Sequence, residues 1–276
     1  MVLLQTPPTS TKNAPDGHWV LGHTQKQTGS ILQSGVRAIV TPSDITQALS
    51  TVKGRMMART MMAMGISEKL FTYSSFRPYA VNEVIRRALP EDNAAHLILD
   101  PASGYSPQFY WLAQERPKTQ FIEIDRPETM RDKIKRLHPY DIPENLELIS
   151  ADLSETTLDS VLGERKADLV IALGAYVVMD DFEQLLAYLP TVLKEDGIVL
   201  AAIPYATGLE NIAQTLSLFK RAVTKPIGLV QHADEVINMF ERAGYRDIKL
   251  HWLSKLAEEM GKPIPADAEL FVTARR

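Results

Sequence analysis

Short apolar runs alternate with amphipathic segments from about residue 97 to the end of the chain. Apolar runs of about four to eight residues are typical of buried strands, whereas the segments between them have the helical period. This alternation predicts an α/β fold, in which a mostly parallel sheet has helices on both of its faces. We place seven strands near residues 97–100, 120–125, 146–150, 168–173, 197–203, 246–252 and 269–274.

Helices are predicted between most of these strands. Pro107 and Pro127 stand where a proline in the first helical turn is tolerated. The sequence Glu195-Asp196-Gly197 indicates a helix end that leads directly into a buried strand. The predicted helices lie near residues 106–116, 127–138, 155–163, 180–194, 208–222 and 232–243.

The first 90 residues have a different pattern. Residues 5–17 are rich in Pro, Thr, Ser, Asn and Gly, which predicts a segment without regular structure. Residues 25–90 have a mostly helical pattern, and only residues 36–40 resemble a strand. The tetrapeptide at residues 41–44, Thr-Pro-Ser-Asp, is typical of a helix start. Residues 55–64 contain many methionines, which predicts a gap-filling core helix or, as an alternative, an adaptable surface facing a cofactor or substrate.

Composition narrows the class of protein. With 45% hydrophobic and 23% charged residues, the chain is typical of a globular protein, and its formal net charge of -4 gives no reason to expect binding to nucleic acid. The absence of cysteine excludes disulfides and thiolate metal sites. No apolar run approaches the roughly 20 residues that a membrane span needs, and the N-terminus lacks the pattern of a signal peptide. We therefore expect a cytoplasmic protein without a membrane partner.

The turn after the first strand indicates a bound nucleoside. The first strand ends at Asp100 and is followed by a turn containing Gly104, and the second strand ends at Asp125. In doubly wound folds such a loop passes under an adenosine, and the acid binds the ribose hydroxyls. The glycine-rich pattern G-x-G-x-x-G and the phosphate-binding P-loop are both absent. A cofactor without phosphates, such as S-adenosylmethionine, therefore fits this turn better than a dinucleotide.

The same segments resemble the leucine carboxyl methyltransferase-like family of class I S-adenosylmethionine-dependent methyltransferases. That family's first motif, approximately D-L-G-A-G-L-D-T-R-A-Y-R-L, aligns without a gap with residues 100–112. Its F-x-E-x-D-x-P motif appears at residues 121–127, and its A-D-L motif appears at residues 151–153. Arg77 lies about one helix before the first strand, where the family has an arginine. The resemblance covers roughly residues 70–205.

The resemblance implies how the methionyl part of the cofactor is held. Arg77 would pair with the methionyl carboxylate, because a guanidinium group can bind a carboxylate through two parallel hydrogen bonds. Asp100, Ala102 and Gly104 would form the floor under the methionyl and sugar portions. The alternatives from the residues alone are a surface salt bridge for Arg77 and an ordinary strand-to-helix connection for the turn.

The resemblance also implies how the nucleoside is held. Asp125 would accept hydrogen bonds from both ribose hydroxyls. Glu123, on the same face of the strand, is the alternative acceptor. Asp152 would accept from the adenine amino group while Leu153 packs against the ring. The alternative role for Asp152 is that of a helix N-cap.

The chain departs from the family at two places. Ala102 replaces the family's first glycine and follows Pro101, and Leu173-Gly174 stands where the family usually has Glu-Gly after the fourth strand. Candidate bases near the expected site are Tyr176, Tyr205 and His232, although each is more readily explained by a structural role. The remaining histidines have no metal-ligand spacing, so we expect no metal and assign no catalytic residue.

These expectations define two regions and one leading function. Residues 1–90 would form an N-terminal helical lid or extension, and residues 91–276 would form the cofactor-binding domain with a substrate-side insertion at 206–245. The leading function is O-methylation of a carboxylate or hydroxyl on a small-molecule acceptor. One alternative is a protein of this fold that binds S-adenosylmethionine or a related ligand without methyl transfer. The other is a nucleotide-dependent oxidoreductase.

Overall fold

The computed structural model describes residues 28–63, 68–90, 94–173, 182–205, 230 and 232–276. The predicted helix at 208–222 therefore lies outside the described residues. Within them, a seven-stranded sheet follows four N-terminal helices, which are α1 (Thr28–Val40), α2 (Asp44–Leu49), α3 (Val52–Ala63) and α4 (Glu68–Ala88).

The N-terminal helices confirm one local prediction and correct another. Ser43 caps α2, because its Oγ accepts from the Thr46 N–H at 3.2 Å while Thr46 Oγ1 accepts from the Ser43 N–H at 2.8 Å. The strand prediction for residues 36–40 is wrong, since these residues form the last turns of α1. Tertiary packing decides the outcome: a Cβ on Gly35 of α1 would lie 2.2 Å from the Gly54 backbone of α3, so the two helices pack backbone to backbone.

The methionines of α3 are mostly not core residues. Met61 is buried, whereas Met56 is 63% exposed and Met62 is 45% exposed. The inner face of α3 carries Gly54 and Ala58 together with Met61, and this narrow face is sufficient for contact with α1. The core-helix prediction is therefore correct for Met61 and wrong for Met56 and Met62.

The sheet confirms the predicted fold class. Its strand order is β3-β2-β1-β4-β5-β7-β6, and β7 runs antiparallel to both of its neighbours. The order reverses beside β1, and in open α/β sheets this reversal point is where ligands bind, at the carboxyl ends of the strands. The strands are β1 (Leu97–Asp100), β2 (Gln120–Asp125), β3 (Leu146–Ser150), β4 (Ala167–Ala172), β5 (Leu193–Pro204), β6 (Arg246–Trp252) and β7 (Glu269–Arg275).

Helices cover both faces of the sheet. One face packs residues such as Leu99 and Val170 against Phe240, and the other packs Ile98 and its neighbours against Phe109. Adjacent residues of β1 thus enter different cores, as the alternation of side chains along a strand requires. The helices are α5 (Gln108–Glu115), α6 (Pro127–Leu137), α7 (Leu158–Leu162), α8 (Phe182–Tyr188), α9 (Ala233–Arg242) and α10 (Leu253–Glu259).

Several predicted boundaries need correction. The helix predicted at 180–194 ends at Tyr188, and after a short 3₁₀ turn β5 already begins at Leu193. Residues 195–197 therefore lie inside β5 and do not end a helix. Pro127 is the first residue of α6, as predicted, but Pro107 is the N-cap of α5 and lies just outside its first turn.

Candidate functional site

The turn after β1 is built around two carboxylates. Asp100 ends β1, and its Oδ1 accepts from the Ala102 N–H at 3.1 Å. Gly104 adopts a positive φ of 53°, which is a favourable conformation for glycine. In this conformation the Gly104 N–H donates to Asp125 Oδ2 at 2.7 Å, so the turn is fastened to the end of β2.

Asp125 keeps acceptor capacity for a ligand. Besides the bond from Gly104, its Oδ1 accepts from the N–H of Arg126 at 2.8 Å. An ionised carboxylate has about four lone-pair sites, so each oxygen of Asp125 retains one. The side chain lies at the sheet edge, and the residue is 8% exposed. Two vacant acceptor positions on one carboxylate match the two hydroxyls of a ribose.

Glu123 is not available for that role. Its Oε2 accepts from Lys133 Nζ of α6, and both side chains are almost completely buried, at 1% and 2% exposed. At this burial a ligand cannot reach the Glu123 carboxylate, whose charge already balances the Lys133 ammonium. The structure thus separates the two acids of β2, placing Glu123 in an ion pair beneath the turn and Asp125 at the edge.

Asp152 and Leu153 follow β3 at the same edge. The Ala151 N–H donates to the Asp125 carbonyl at 3.0 Å, which holds this segment beside the end of β2. Asp152 Oδ1 accepts from both the N–H and the hydroxyl of Ser154, at 2.9 Å and 2.6 Å, whereas no described residue donates to Oδ2. Leu153 is buried against the core. Asp152 therefore stabilises its own turn and still presents one oxygen for a ligand donor.

The edge carries a concentration of negative charge. Burial, followed by the neighbouring Glu123 carboxylate, raises the pKa of Asp100 to about 7. Asp125 also raises it, while Lys133 acts in the opposite direction. A cationic sulfonium ligand would relieve this accumulation of carboxylates, whereas a pyrophosphate would add to it. The electrostatics thus fit S-adenosylmethionine better than a dinucleotide.

Arg77 forms a salt bridge, as its alternative role expected, but the pair is largely buried and does not lie at the surface. Its guanidinium donates through Nε and Nη2 to the two carboxylate oxygens of Glu269, the second at 3.3 Å. The two side chains are only 15% and 10% exposed. Burial lowers the pKa of Arg77, but the Glu269 carboxylate outweighs it and raises the pKa above its ordinary value. Tyr73 also hydrogen-bonds to this pair.

Arg37 belongs to the same cluster and is absent from the sequence-based predictions. Burial and the Arg77 charge lower the pKa of Arg37 to about 10, while Asp100 and Glu269 partly offset this effect. No hydrogen bond or ion pair joins its guanidinium to another described residue. The one signal for it in the sequence is that it is the lone charge in the apolar run at residues 36–40, where the pattern predicts a strand.

The candidate bases receive no catalytic assignment. Tyr176 lies outside the described residues. Tyr205 packs edge-to-face against Trp252, with ring centroids 5.0 Å apart, and its N–H donates to the Ala268 carbonyl. His232 is the N-cap residue of α9 and makes no side-chain capping bond. Among the residues whose placement is described, no group of His, Asp or Glu has the arrangement of a metal site.

A family model described as leucine carboxyl methyltransferase matches residues 30–191, which is more than half of the chain. The chain belongs to this family. The match begins within α1, well before residue 70. The similarity to leucine carboxyl methyltransferases therefore includes N-terminal helices that lie outside the motif resemblance at residues 70–205. Arg37, Arg77, Asp100 and Asp125 all fall inside it.

Solved structures show the same fold at low sequence identity. The pyocyanin biosynthetic protein PhzM is 14% identical with a TM-score of 0.52, and 91% of this chain covers 71% of that one. An O-methyltransferase family protein from Burkholderia thailandensis is 14% identical with a TM-score of 0.51, with coverage of 90% and 72%. No curated protein matches the chain.

This member of the leucine carboxyl methyltransferase family is an S-adenosylmethionine-dependent methyltransferase. The residues at the sheet edge fit that cofactor, because Asp125 and Asp152 retain acceptor oxygens and the local charge favours a cation. None of the described helices is both long and apolar enough to cross a bilayer.

Proposed function

We propose that the protein is an O-methyltransferase that transfers the methyl group of S-adenosylmethionine to a carboxylate or hydroxyl of a small molecule. The observation that carries the proposal is the Asp125 carboxylate, fastened to Gly104 and with one acceptor site left on each oxygen. In this arrangement Asp125 binds the ribose hydroxyls. Asp152 Oδ2 accepts from the adenine amino group, and Leu153 packs against the ring.

The methionyl carboxylate is assigned to Arg77 and Arg37, of which Arg37 interacts electrostatically with Asp100. Arg77 is committed to Glu269, but Arg37 has no acceptor among the described residues and lies close enough to Arg77 for their charges to repel. An anionic group placed between them would compensate both guanidinium groups. Asp100, Ala102 and Gly104 form the floor under the methionyl chain, where the Asp100 carboxylate compensates the cationic part of the cofactor.

The acceptor is proposed to be an oxygen, and a carboxylate suits the described site best. The sulfonium supplies an activated methyl group when the cofactor is bound, so a carboxylate acceptor needs no base, whereas an alcohol or phenol usually does. The acceptor must then be held in line with the methyl group and shielded from water. We assign that shielding to residues 1–90 as a lid and to the insertion at 206–245.

One observation favours a second candidate, a protein that binds the cofactor without transfer. Leu173 lies where the family usually has a glutamate, so a polar contact near the methionyl amino group is missing. Such a protein would bind S-adenosylmethionine with the same residues but would have no productive acceptor site.

The test combines binding with product detection. Purified protein is titrated calorimetrically with S-adenosylmethionine and, separately, with NAD and NADP. It is then incubated with methyl-labelled S-adenosylmethionine and a panel of small carboxylic acids and phenols, and label transfer and S-adenosylhomocysteine are measured. The proposal requires that the protein binds S-adenosylmethionine but neither NAD nor NADP, and that label is transferred to at least one oxygen acceptor. Binding of S-adenosylmethionine without transfer to any acid or phenol of the panel would favour the second candidate, and binding of NAD or NADP instead would contradict both.

A further inference from the structure

Lys133 is an unusual side chain for the centre of an α/β domain. It lies on α6, which begins directly after β2, and its side chain is only 2% exposed. Lysine is almost never fully buried unless it is paired. Its partner is Glu123 of β2, which is equally inaccessible.

The Lys133 ammonium uses its donors on more than the ion pair. Besides Glu123, Nζ donates to the Ser106 carbonyl at 2.8 Å and approaches Ser103 Oγ at 3.5 Å. An ammonium has three donors, so these three acceptors account for its capacity. Two of them belong to the turn after β1.

These contacts lie on either side of Gly104. Ser103 precedes it and Ser106 follows it, and the Ser106 N–H donates to the Ser103 carbonyl at 3.0 Å to close the turn. The Gly104 N–H in turn donates to Asp125. Lys133 thus holds both flanks of the residue whose amide orients the proposed ribose-binding carboxylate.

The need to balance the charge of Glu123 does not by itself explain why a lysine is buried at position 133. A buried ion pair is often no more stable than an apolar pair of similar volume, because both charges lose their hydration. A charged pair that also binds the turn differs from an apolar pair in that it specifies the position of the turn.

We propose that Lys133 is a positioning residue for cofactor binding, which acts by holding the turn at residues 103–106 in place beneath the nucleoside. The inference rests on the proposed function, since it takes this turn as the cofactor-binding one. Lys133 itself does not touch the cofactor.

Three variants separate positioning from charge balance. Lys133→Met leaves Glu123 buried and unpaired, so we expect a loss of stability that alone would be uninformative. The double variant Glu123→Gln/Lys133→Met removes both charges and conserves side-chain volume, so its stability should return toward that of the wild type. Lys135→Met removes an exposed lysine from the same helix and serves as the matched control.

Two measurements are made on each variant under conditions in which it is fully folded. Amide hydrogen exchange of the peptide spanning residues 101–108 reports on the turn without any ligand, and calorimetry gives the affinity for S-adenosylmethionine. For the double variant we expect faster exchange confined to this peptide and an affinity about tenfold or more below that of the wild type, the loss typical of a hydrogen bond to a charged group. The control should change neither.

The outcomes are distinct. Wild-type exchange and wild-type affinity in the double variant would overturn the inference, because Lys133 would then serve only to balance Glu123. Unaltered exchange with weakened binding would also overturn it. If the wild-type protein itself fails to bind S-adenosylmethionine, the proposed function fails, whereas the exchange measurement still decides whether Lys133 holds the turn.

Discussion

Replacing Arg37 by methionine should make the protein more stable and a poorer binder of S-adenosylmethionine. Methionine keeps an unbranched apolar stem of similar length but removes a guanidinium that has no acceptor among the described residues. Burial and the Arg77 charge lower the pKa of Arg37 well below its ordinary value, to about 10. At neutral pH the guanidinium is still charged, and its charge is less stable in the folded protein than in the unfolded chain.

The size of the effect follows from that shift. One pKa unit corresponds to about 1.4 kcal/mol, so the penalty is at most roughly 3.5 kcal/mol, and partial exposure of Arg37 reduces it. The folded-state pKa is below the unfolded one, so the penalty is present at neutral pH and is relieved as the pH rises through about 10. A gain of about 1–2 kcal/mol in the free energy of unfolding is expected at pH 7. Loss of a charge-assisted contact should weaken S-adenosylmethionine binding by about 1.5–3 kcal/mol.

Urea unfolding of the ligand-free protein measures the first effect, and calorimetry with S-adenosylmethionine and adenosine measures the second. Adenosine lacks the methionyl carboxylate, so its affinity should be unchanged. Arg59→Met, at an exposed position of α3, is the control and should alter neither quantity. A less stable Arg37→Met protein with normal affinity for S-adenosylmethionine would refute the reasoning, since Arg37 would then support the fold.

Three further predictions concern the same region. Because the pKa of Asp100 is about 7, the affinity for the cationic cofactor should fall about tenfold between pH 8 and pH 6 as this carboxylate is protonated; calorimetry at both pH values should find this dependence absent in Asp100→Asn. Arg77→Ala should lower the free energy of unfolding by about 3–5 kcal/mol by leaving Glu269 buried and unpaired, and it should weaken S-adenosylmethionine more than adenosine; equal weakening of both ligands in calorimetry would assign Arg77 to the fold alone. Gly35→Ala should cost about 1–3 kcal/mol in urea unfolding by forcing α1 and α3 apart, and an unchanged midpoint would contradict the close backbone contact.

Local patterns were sufficient to predict much of the sheet and the candidate nucleoside-binding edge. Each central strand is an apolar run bounded by turn residues, and Asp100 and Asp125 end two of them. Their proximity follows because parallel neighbours bring their carboxyl ends to one edge. The separation of Glu123 from Asp125 could not be predicted in this way, since it depends on Lys133 of α6 pointing back under the turn.

The arginine cluster shows where sequence reasoning reaches its limit. Arg77 and its partner Glu269 are 192 residues apart in the chain, so no local pattern indicates their pairing. Arg37 lies in an apolar run that resembles a strand, and it becomes helical because Gly35 permits close contact with α3. The early start of β5 at Leu193 similarly reflects pairing with β4, which outweighs the turn-like sequence at residues 195–197.

The central claim is that Asp125 binds the ribose of the methyl donor, and a ligand comparison tests it most directly. Calorimetry would measure the affinities of adenosine and 2′-deoxyadenosine for the wild-type protein and for Asp125→Ala. We predict that the wild type prefers adenosine by about tenfold, as expected for a hydroxyl bonded to a carboxylate, and that Asp125→Ala binds both nucleosides equally. The comparison uses the ratio of the two affinities within each protein. A general loosening of the turn would weaken both nucleosides alike and would leave this ratio unchanged. An equal preference for adenosine in both proteins would contradict the claim.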